Sequence, residues 1–192
     1  MGIVDHERFE ALTLPLLGDV YRLAVKLAGH PRDAEDLVQE TYVKALAAFP
    51  GLRNPEQVKS WLFQILSRVV IDRHRAGSHE LPVGSLAELD RFSLFDVISD
   101  EDPLPYSDRL HADFMAQFPD EAVRTAIQKL PEIYRVPLVI YYVEELSYQQ
   151  LAELLGCPVG TVMSRLYRGR KLLERELWEC AKERGLIRTW QR

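Results

Sequence analysis

The segment CPVGTVMSRLYRGRKLL, residues 157–173, concentrates hydroxyl groups and cations in a chain whose net charge is −5. Base edges in a DNA groove are read by hydrogen-bond donors and acceptors, and the phosphates around them are held by cations. A helical wheel of the segment groups four polar residues on one face: Ser164, Tyr167, Arg168 and Lys171. The segment therefore predicts a helix that contacts duplex DNA through Thr161, Ser164, Arg165, Tyr167, Arg168, Arg170 and Lys171.

This basic helix needs a second helix to hold it in place. In SYQQLAELLG, Ser147 and Gln150 match the capping box that begins a helix, and Gly156 is of the type that ends one. An apolar stripe that includes Val162 and Leu166 would pack on this first helix. Two short helices joined by a tight turn, the second of them basic, predict a helix-turn-helix. Residues 161–192 carry nine Lys and Arg against four Glu, although a solvated face in an ordinary bundle is the alternative.

Residues 5–76 are predicted to be helical throughout, with helices over about 5–28, 31–49 and 55–75. The second of these has an apolar stripe, and its opposite face is polar: Asp36, Gln39, Glu40 and Lys44. In the C-terminal half, EIYRVPLVIYYVEEL predicts a helix that begins at Tyr134 or later, because Pro137 is tolerated only near a first turn. No segment has the alternation of a strand, so the predicted fold class is all-α.

The two helical parts are separated by residues 77–120, which contain several Pro and Gly and no sustained period. From residue 86 to residue 125, ten acidic and three basic side chains leave a net charge of −7. This composition is typical of a linker. The predicted domains are therefore residues 1–76, an acidic flexible linker over 77–120, and residues 121–192.

Several classes of protein are disfavoured by composition. No apolar run approaches the roughly 18 residues of a membrane span, and the N-terminus has no basic region before an apolar block, so we expect a cytoplasmic protein. Cys157 and Cys180 belong to no CxxC unit, which favours reduced, partly buried thiols and no metal site. Because no nucleophile–base pair or phosphate-binding loop is evident, we expect no catalytic residues, no enzymatic activity and no cofactor.

At the level of whole motifs the sequence resembles the bacterial extracytoplasmic-function (group 4) sigma factors. DAEDLVQETYVKAL is similar to their region 2.2 and WLFQILSRVVIDRHR to their regions 2.3–2.4. The stretch from LPEIYRVPLVIYYVEEL through GTVMSRLYRGRKLL is similar to their region 4. The resemblance implies two small helical domains, a region 2 bundle and a region 4 helix-turn-helix, and no catalysis.

The same resemblance implies two partners, core RNA polymerase and promoter DNA. Region 2.2 would bind the largest polymerase subunits through Asp36, Gln39, Glu40 and Lys44. The single-stranded −10 element would be captured by the third helix and the turn before it, through Leu52, Arg53, Trp61, Arg68, Asp72, Arg73 and Arg75. The −35 element would be read as duplex by the basic helix. An ordinary polar face is the alternative for the region 2.2 residues, and a place in the core is the alternative for Trp61.

Two residues depart from the family pattern. Arg68 stands where many members have an Asn that helps to read a flipped base, and Met163 stands where many have an Arg. The promoter sequence therefore cannot be carried over from the family.

The linker and the subgroup complete what the resemblance implies. The acidic linker would thread through the polymerase cleft, with a surface tether as the alternative. GTVMSRLYRGRKLL and AKERGL are similar to members controlled by zinc-containing anti-sigma factors that respond to thiol oxidation. An anti-sigma factor is thus a third expected partner, and the redox sensor would lie in it.

The rival interpretations come from other classes. A stand-alone helix-turn-helix regulator acting without core polymerase would need a sensor domain, for which residues 77–120 are too irregular. An enzyme built on the N-terminal helices has no residue pattern in its favour.

Overall fold

A computed structural model describes residues 3–52, 54–77 and 120–183, and the regular elements in these ranges are all helical. The N-terminal module consists of α1 (Ile3–Thr13), α2 (Leu17–Ala28), α3 (Pro31–Ala48) and α4 (Val58–Gly77). The C-terminal module consists of α5 (Asp120–Gln128), α6 (Glu132–Glu144), α7 (Tyr148–Leu155) and α8 (Val159–Glu183). The predicted all-α fold class is confirmed, while residues 78–119, the body of the predicted linker, lie outside the described residues.

The prediction of one helix over residues 5–28 is wrong, because a 3-10 turn, Leu14–Leu16, separates α1 from α2. Pro15 has no N–H to continue the helical ladder, so the α-helical hydrogen bonding is interrupted there. The predicted end of this region at about residue 28 is confirmed, since α2 ends at Ala28. Gly29 adopts the left-handed conformation, with φ of 76°, and donates its N–H to the Val25 carbonyl over 2.8 Å.

Helix α4, which follows the turn after α3, begins later than predicted. The Asn54 side chain accepts the backbone N–H of Glu56 over 3.0 Å and caps a short 3-10 helix, Pro55–Gln57. The α-helix proper starts only at Val58. Behind the turn Phe49 packs edge-on against Phe9, with ring centroids 5.2 Å apart, so the turn is anchored in the core.

Three hydroxyl groups are buried among the apolar side chains of the N-terminal module. Thr13, Thr41 and Ser67 each donate to the carbonyl four residues earlier, over 2.8, 2.7 and 2.7 Å. Each hydroxyl is thereby satisfied within its own helix, which is the condition under which a polar group is tolerated in a core.

Helix α6 begins at Glu132, with Pro131 as its N-cap, and not at Tyr134 or later as predicted. Pro137 lies inside the helix, where its nitrogen cannot donate to the Ile133 carbonyl. The residues around it are deeply buried, with Val136 and Ile140 at 0% exposure. Tertiary burial of this apolar segment therefore outweighs the local cost of the proline.

The two modules pack against each other through α2 and α4 of the N-terminal module. Helix α6 contacts both of them, α7 contacts α4, and α5 contacts α2. The buried apolar residues form one continuous cluster that runs from Phe9 through Leu62 and Val136 to Leu177. The helix-turn-helix is therefore supported by the N-terminal module as well as by its own neighbours.

Candidate nucleic-acid interface

The α7–α8 pair forms the predicted helix-turn-helix. The Ser147 hydroxyl accepts the Gln150 N–H over 3.2 Å, and the Gln150 side-chain oxygen accepts the Ser147 N–H over 2.9 Å, so the predicted capping box is confirmed. Gly156 ends α7 in the left-handed conformation with φ of 63°, also as predicted. The next N–H, of Cys157, donates to the Ala152 carbonyl over 3.1 Å and closes the turn.

One face of α8 is fixed by burial. Val162 and Leu166 are 0% exposed, and Leu173 and Leu177 are 1% exposed, which confirms the predicted apolar stripe. On the same side lies Gly169, where an added Cβ would come within 3.4 Å of the Tyr134 carbonyl oxygen. A glycine here lets α8 approach the backbone of α6 closely, so the orientation of α8 is set by backbone as well as by side-chain packing.

The opposite face of the first turns of α8 is open to solvent. Ser164, Tyr167 and Arg168 are exposed, whereas Thr161 and Arg165 at its margins are half-buried. The Ser164 hydroxyl donates to the Thr161 carbonyl over 3.0 Å, which leaves its oxygen able to accept from a base or phosphate. The structure therefore brings five of the seven predicted DNA-contacting residues together on or beside one accessible face.

The sequence predicts Arg170 at the margin of the DNA-contacting face and Lys171 on that face. Both predicted positions are wrong, because Arg170 is only 3% and Lys171 only 8% exposed. The Arg170 guanidinium donates to the hydroxyl of Tyr142 over 3.1 Å and to that of Tyr148 over 3.4 Å. Its central carbon lies 5.5 Å from the ring centroid of Tyr141. A helical wheel ignores the tyrosines that α6 and α7 place on that side, and these tyrosines convert a marginal position into a buried one.

Lys171 packs along its own helix. Its ammonium group lies 4.6 Å from the ring centroid of Tyr167, one turn earlier, a geometry that favours a cation–π contact. This contact holds the exposed Tyr167 ring in place. Lys171 therefore supports the exposed face from beside it and is not part of it.

In the N-terminal module, the predicted polymerase-binding residues lie on the solvent side of α3. Asp36 and Gln39 are exposed. Glu40 pairs with Lys44 over 2.9 Å and with Arg73 of α4 over 2.6 Å. The hydrogen bond from Lys44, with that from Arg73, keeps the pKa of the Glu40 carboxyl below its usual value. Two of the four predicted polymerase-binding residues, Glu40 and Lys44, are thus held by ion pairs.

The same face contains an apolar residue that the sequence prediction did not include among the binding residues. Val43 is 69% exposed and lies between Glu40 and Lys44 in the chain. The sequence contained the signal for this residue, because a large apolar side chain on an otherwise polar helix face is a candidate contact point. Its exposure adds one apolar contact point to a face otherwise made of charges and amides.

The predicted −10 residues are spread over two surfaces. Arg73 donates to the backbone carbonyl of Asp36 over 3.1 Å, in addition to its ion pair with Glu40, so it is bound to α3. Asp72 is exposed near it. Arg75 follows in the last turns of α4. Arg53 lies outside the described residues.

Arg68, Trp61 and Leu52 lie toward the C-terminal module instead. An added Cβ on Gly156 would meet the Arg68 guanidinium at 3.8 Å and the Gln64 amide at 3.6 Å. The Trp61 ring is half-buried, 6.4 Å from the Phe49 ring centroid. Leu52 and Trp61 line a groove of about 790 Å³ between the modules, whose other wall includes Glu144 and Glu153.

Specific polar contacts join the two modules. Lys59 of α4 pairs with Glu144 of α6 over 2.8 Å. The Gln128 amide donates to the Lys26 carbonyl at the end of α2 over 3.0 Å. Gln128 also lies where a side chain on Gly29 would be, since an added Cβ would be 2.5 Å from it.

The part of the chain that the structure describes shows neither a metal site nor a membrane-spanning helix. It contains no group of three or more His, Cys, Asp and Glu able to hold a metal ion. Within it, none of the helices combines the length and apolarity that crossing a membrane would require. Cys157 and Cys180 are free and half-buried.

Taken together, the fold and the exposed face of α8 define a helical protein that presents a helix-turn-helix beside a second helical module. The protein-family model of sigma-70 region 2 matches residues 14–80 of the sequence, and the family model of sigma-70 region 4 matches residues 120–173. RNA polymerase sigma factor SigV of Bacillus subtilis is 30% identical over 159 residues, which cover 83% of this chain and 84% of that protein. The chain therefore belongs to the sigma-70 family of RNA polymerase sigma factors, in its extracytoplasmic-function group.

Other relatives agree with this assignment. The extracytoplasmic-function sigma factor SigW of Bacillus subtilis is 28% identical over 174 residues, 90% of each protein. SigE of Mycolicibacterium smegmatis is 33% identical over 162 residues, which cover 80% of this chain and 55% of that protein. Proteins of this family are transcription initiation factors and not enzymes, so the predicted lack of enzymatic activity follows from membership.

Solved structures share the fold. The sigma factor RpoE from Bartonella quintana, solved in complex with the anti-sigma factor NepR, superposes with a TM-score of 0.57 at 24% identity. That likeness covers 90% of this chain and 98% of the RpoE chain. CnrH, solved with the cytosolic domain of CnrY, superposes with a TM-score of 0.54 at 21% identity, over 91% of this chain and 90% of CnrH.

Proposed function

We propose that this sigma factor, bound to core RNA polymerase, reads duplex −35 DNA with the exposed face of α8 and captures the −10 strand with the N-terminal module. The observation that carries the proposal is the accessible face of α8, where hydroxyl, phenol and guanidinium groups stand together above a buried apolar stripe. Thr161, Ser164, Arg165, Tyr167 and Arg168 are its proposed contacts. Arg170 and Lys171 support this face indirectly, through the tyrosines that they contact.

Core polymerase binding is proposed for the solvent side of α3. Asp36 and Gln39 are exposed there, and Glu40 and Lys44 pair with each other. This surface lies on α3 and the proposed −35 contacts lie on α8, so the two proposed activities use different residues. A stand-alone regulator has no such need for a second binding face, and the family assignment does not favour it.

For the −10 element we propose Leu52, Arg53, Trp61 and Arg68 near the groove, with Asp72, Arg73 and Arg75 further along α4. The functional units proposed are residues 1–76, 77–120 and 121–192, the middle one acidic. The working compartment is the cytoplasm, where core polymerase acts.

Regulation by an anti-sigma factor is proposed as well. RpoE of Bartonella quintana, which shares this fold, was solved with the anti-sigma factor NepR, and CnrH was solved with the cytosolic domain of CnrY. We expect an anti-sigma factor of the zinc-containing kind, on the resemblance of residues 160–173 and 181–186 to members controlled by such factors.

The proposal is tested by reconstituting the protein with core RNA polymerase and measuring promoter affinity and runoff transcription on templates with a randomised upstream duplex. We expect Arg168→Ala to weaken binding to the selected −35 sequence by about 1–3 kcal/mol and to relax discrimination against scrambled −35 sequences. The matched control is Arg175→Ala, an exposed cation two turns further along α8, which should leave discrimination intact.

Two results would contradict the proposal. One is tight binding to promoter DNA by the protein alone without assembly on core polymerase. The other is an equal loss of affinity on matched and scrambled −35 sequences for Arg168→Ala, which would make that residue a backbone contact only.

A further inference from the structure

Met163 lies on the exposed side of α8 but is not among the proposed DNA contacts. Its side chain is 52% exposed, on the first turns of the helix and beside Ser164. Four residues later, and therefore on the same face, Tyr167 is 42% exposed. The two side chains make an apolar strip within a face otherwise built for hydrogen bonding.

The chemistry of Met163 limits what it can recognise. A thioether has no donor and is only a weak acceptor, so it cannot read the acceptor edge of guanine. In the major groove, thymine presents an apolar group, its 5-methyl, in a position where the other standard bases present none. Methionine is unbranched, flexible and polarizable, so its side chain can adjust to the position of a small apolar group on the DNA.

The surroundings of Met163 favour this contact over a polar one. In this structure the Ser164 hydroxyl donates to the Thr161 carbonyl over 3.0 Å, which leaves an acceptor oxygen beside Met163. The Tyr167 ring is held by the Lys171 ammonium, 4.6 Å from its centroid, and forms one wall of the apolar strip. Recognition helices contact base edges with their N-terminal residues, and Met163 is the fifth residue of α8.

We infer that Met163 reads a thymine of the −35 element through van der Waals contact with its 5-methyl group. This inference rests on the proposed function, since it requires α8 to enter the major groove. It makes one position of the −35 element depend on a methyl group and not on hydrogen bonds. Discrimination at that base pair is correspondingly modest, because burying one methyl group is worth about fourfold in affinity.

The test uses holoenzyme reconstituted from the full chain and core RNA polymerase. A randomised upstream duplex first gives the selected −35 sequence. Each selected thymine is then replaced singly by deoxyuridine, which removes the methyl and keeps every hydrogen bond. We expect one such replacement to weaken wild-type binding by about fourfold and to leave the binding of Met163→Ala unchanged.

Two further arms sharpen the result. Met163→Leu keeps an apolar side chain and should keep the methyl dependence. At the sensitive position, a cytosine should bind wild-type holoenzyme better when it carries a 5-methyl group, and Met163→Ala should not distinguish the two. Because Met163 is exposed, the variants should unfold thermally like the wild type.

The outcomes separate the two proposals. Methyl dependence at no selected thymine, or methyl dependence that persists in Met163→Ala, overturns this inference and leaves the proposed function standing. Selection of no upstream sequence at all overturns the proposed function, and this inference with it.

Discussion

The Tyr42 hydroxyl, on α3, donates to the Thr13 backbone carbonyl at the end of α1 over 2.8 Å. The Tyr42 ring also meets Phe9 edge-on, with centroids 6.3 Å apart. Burial of the phenol raises the pKa of Tyr42 to about 12, from an ordinary value of 10.0. One side chain thus closes α1 onto α3 by packing and by a hydrogen bond that requires its proton.

This pKa predicts how stability depends on alkaline pH. Below pH 10 the phenol is protonated in both the folded and the unfolded chain, so its contribution is fully present. Between pH 10 and about 12 the unfolded chain ionises first, so the free energy of unfolding falls as pH rises through this window. We expect Tyr42→Phe to flatten this part of the decline, measured by urea unfolding at each pH.

The matched control for that measurement is Tyr167→Phe, which removes the same hydroxyl group from an exposed ring. The control should decline with pH like the wild type. If Tyr42→Phe and Tyr167→Phe gave the same pH profile, the buried hydrogen bond would not be the source of the dependence.

At the scale of elements, the turn between α7 and α8 depends on a backbone conformation. Gly156 has a φ of 63°, and an added Cβ would meet Gln64 and Arg68 only at ordinary contact distances of 3.6 and 3.8 Å. Space is therefore available, and the backbone sets the cost of a substitution. A side chain in the left-handed region costs about 1–2 kcal/mol.

We expect Gly156→Ala to lower the free energy of unfolding by about 1–2 kcal/mol. The measurement is urea denaturation followed by circular dichroism. Gly160→Ala is the matched control, because Gly160 lies in the first turn of α8 with nothing within 4 Å of an added Cβ. That control should be neutral or stabilising, so equal losses in both variants would refute a conformational cost specific to Gly156.

Local signals explain why the helix-turn-helix could be predicted from the sequence. A capping box and a C-terminal glycine act within a few residues, so Ser147, Gln150 and Gly156 carried enough information by themselves. The position of Arg170 could not be predicted this way, because it depends on tyrosines contributed by two other helices. The start of α6 was predicted wrongly for a related reason. The burial of Val136 and Ile140 stabilises the helix around Pro137, although a proline by itself disfavours one.

At the scale of the whole molecule, the packing of the two modules is the least predictable feature. Gln128 and Lys26 are 102 residues apart, and no periodicity connects them. Lys59 makes the central polar contact, 2.8 Å from Glu144 and 3.8 Å from Asp19. Its ammonium also lies 5.2 Å from the Phe63 ring centroid, so its stem and its charge both contribute.

Charge reversal tests this contact. We expect Lys59→Glu to lower the free energy of unfolding by about 0.2–1 kcal/mol, since the pair is partly exposed, as measured by urea denaturation. The double variant Lys59→Glu, Glu144→Lys should restore part of the lost stability. The difference should shrink in molar salt. A double variant as unstable as the single one would show that the ion pair is not what Lys59 contributes.

The hydrogen bond from Gln128 to the Lys26 carbonyl also has a consequence for the nascent chain. Ribosomes add about 5–20 residues per second, so Lys26 emerges roughly 5–20 seconds before Gln128. Helices α1–α4 all precede Gln128 in the chain, so the residues that the C-terminal module covers are synthesised before it. For several seconds of each synthesis, the faces of α2 and α4 that contact α5, α6 and α7 therefore have no C-terminal module to cover them.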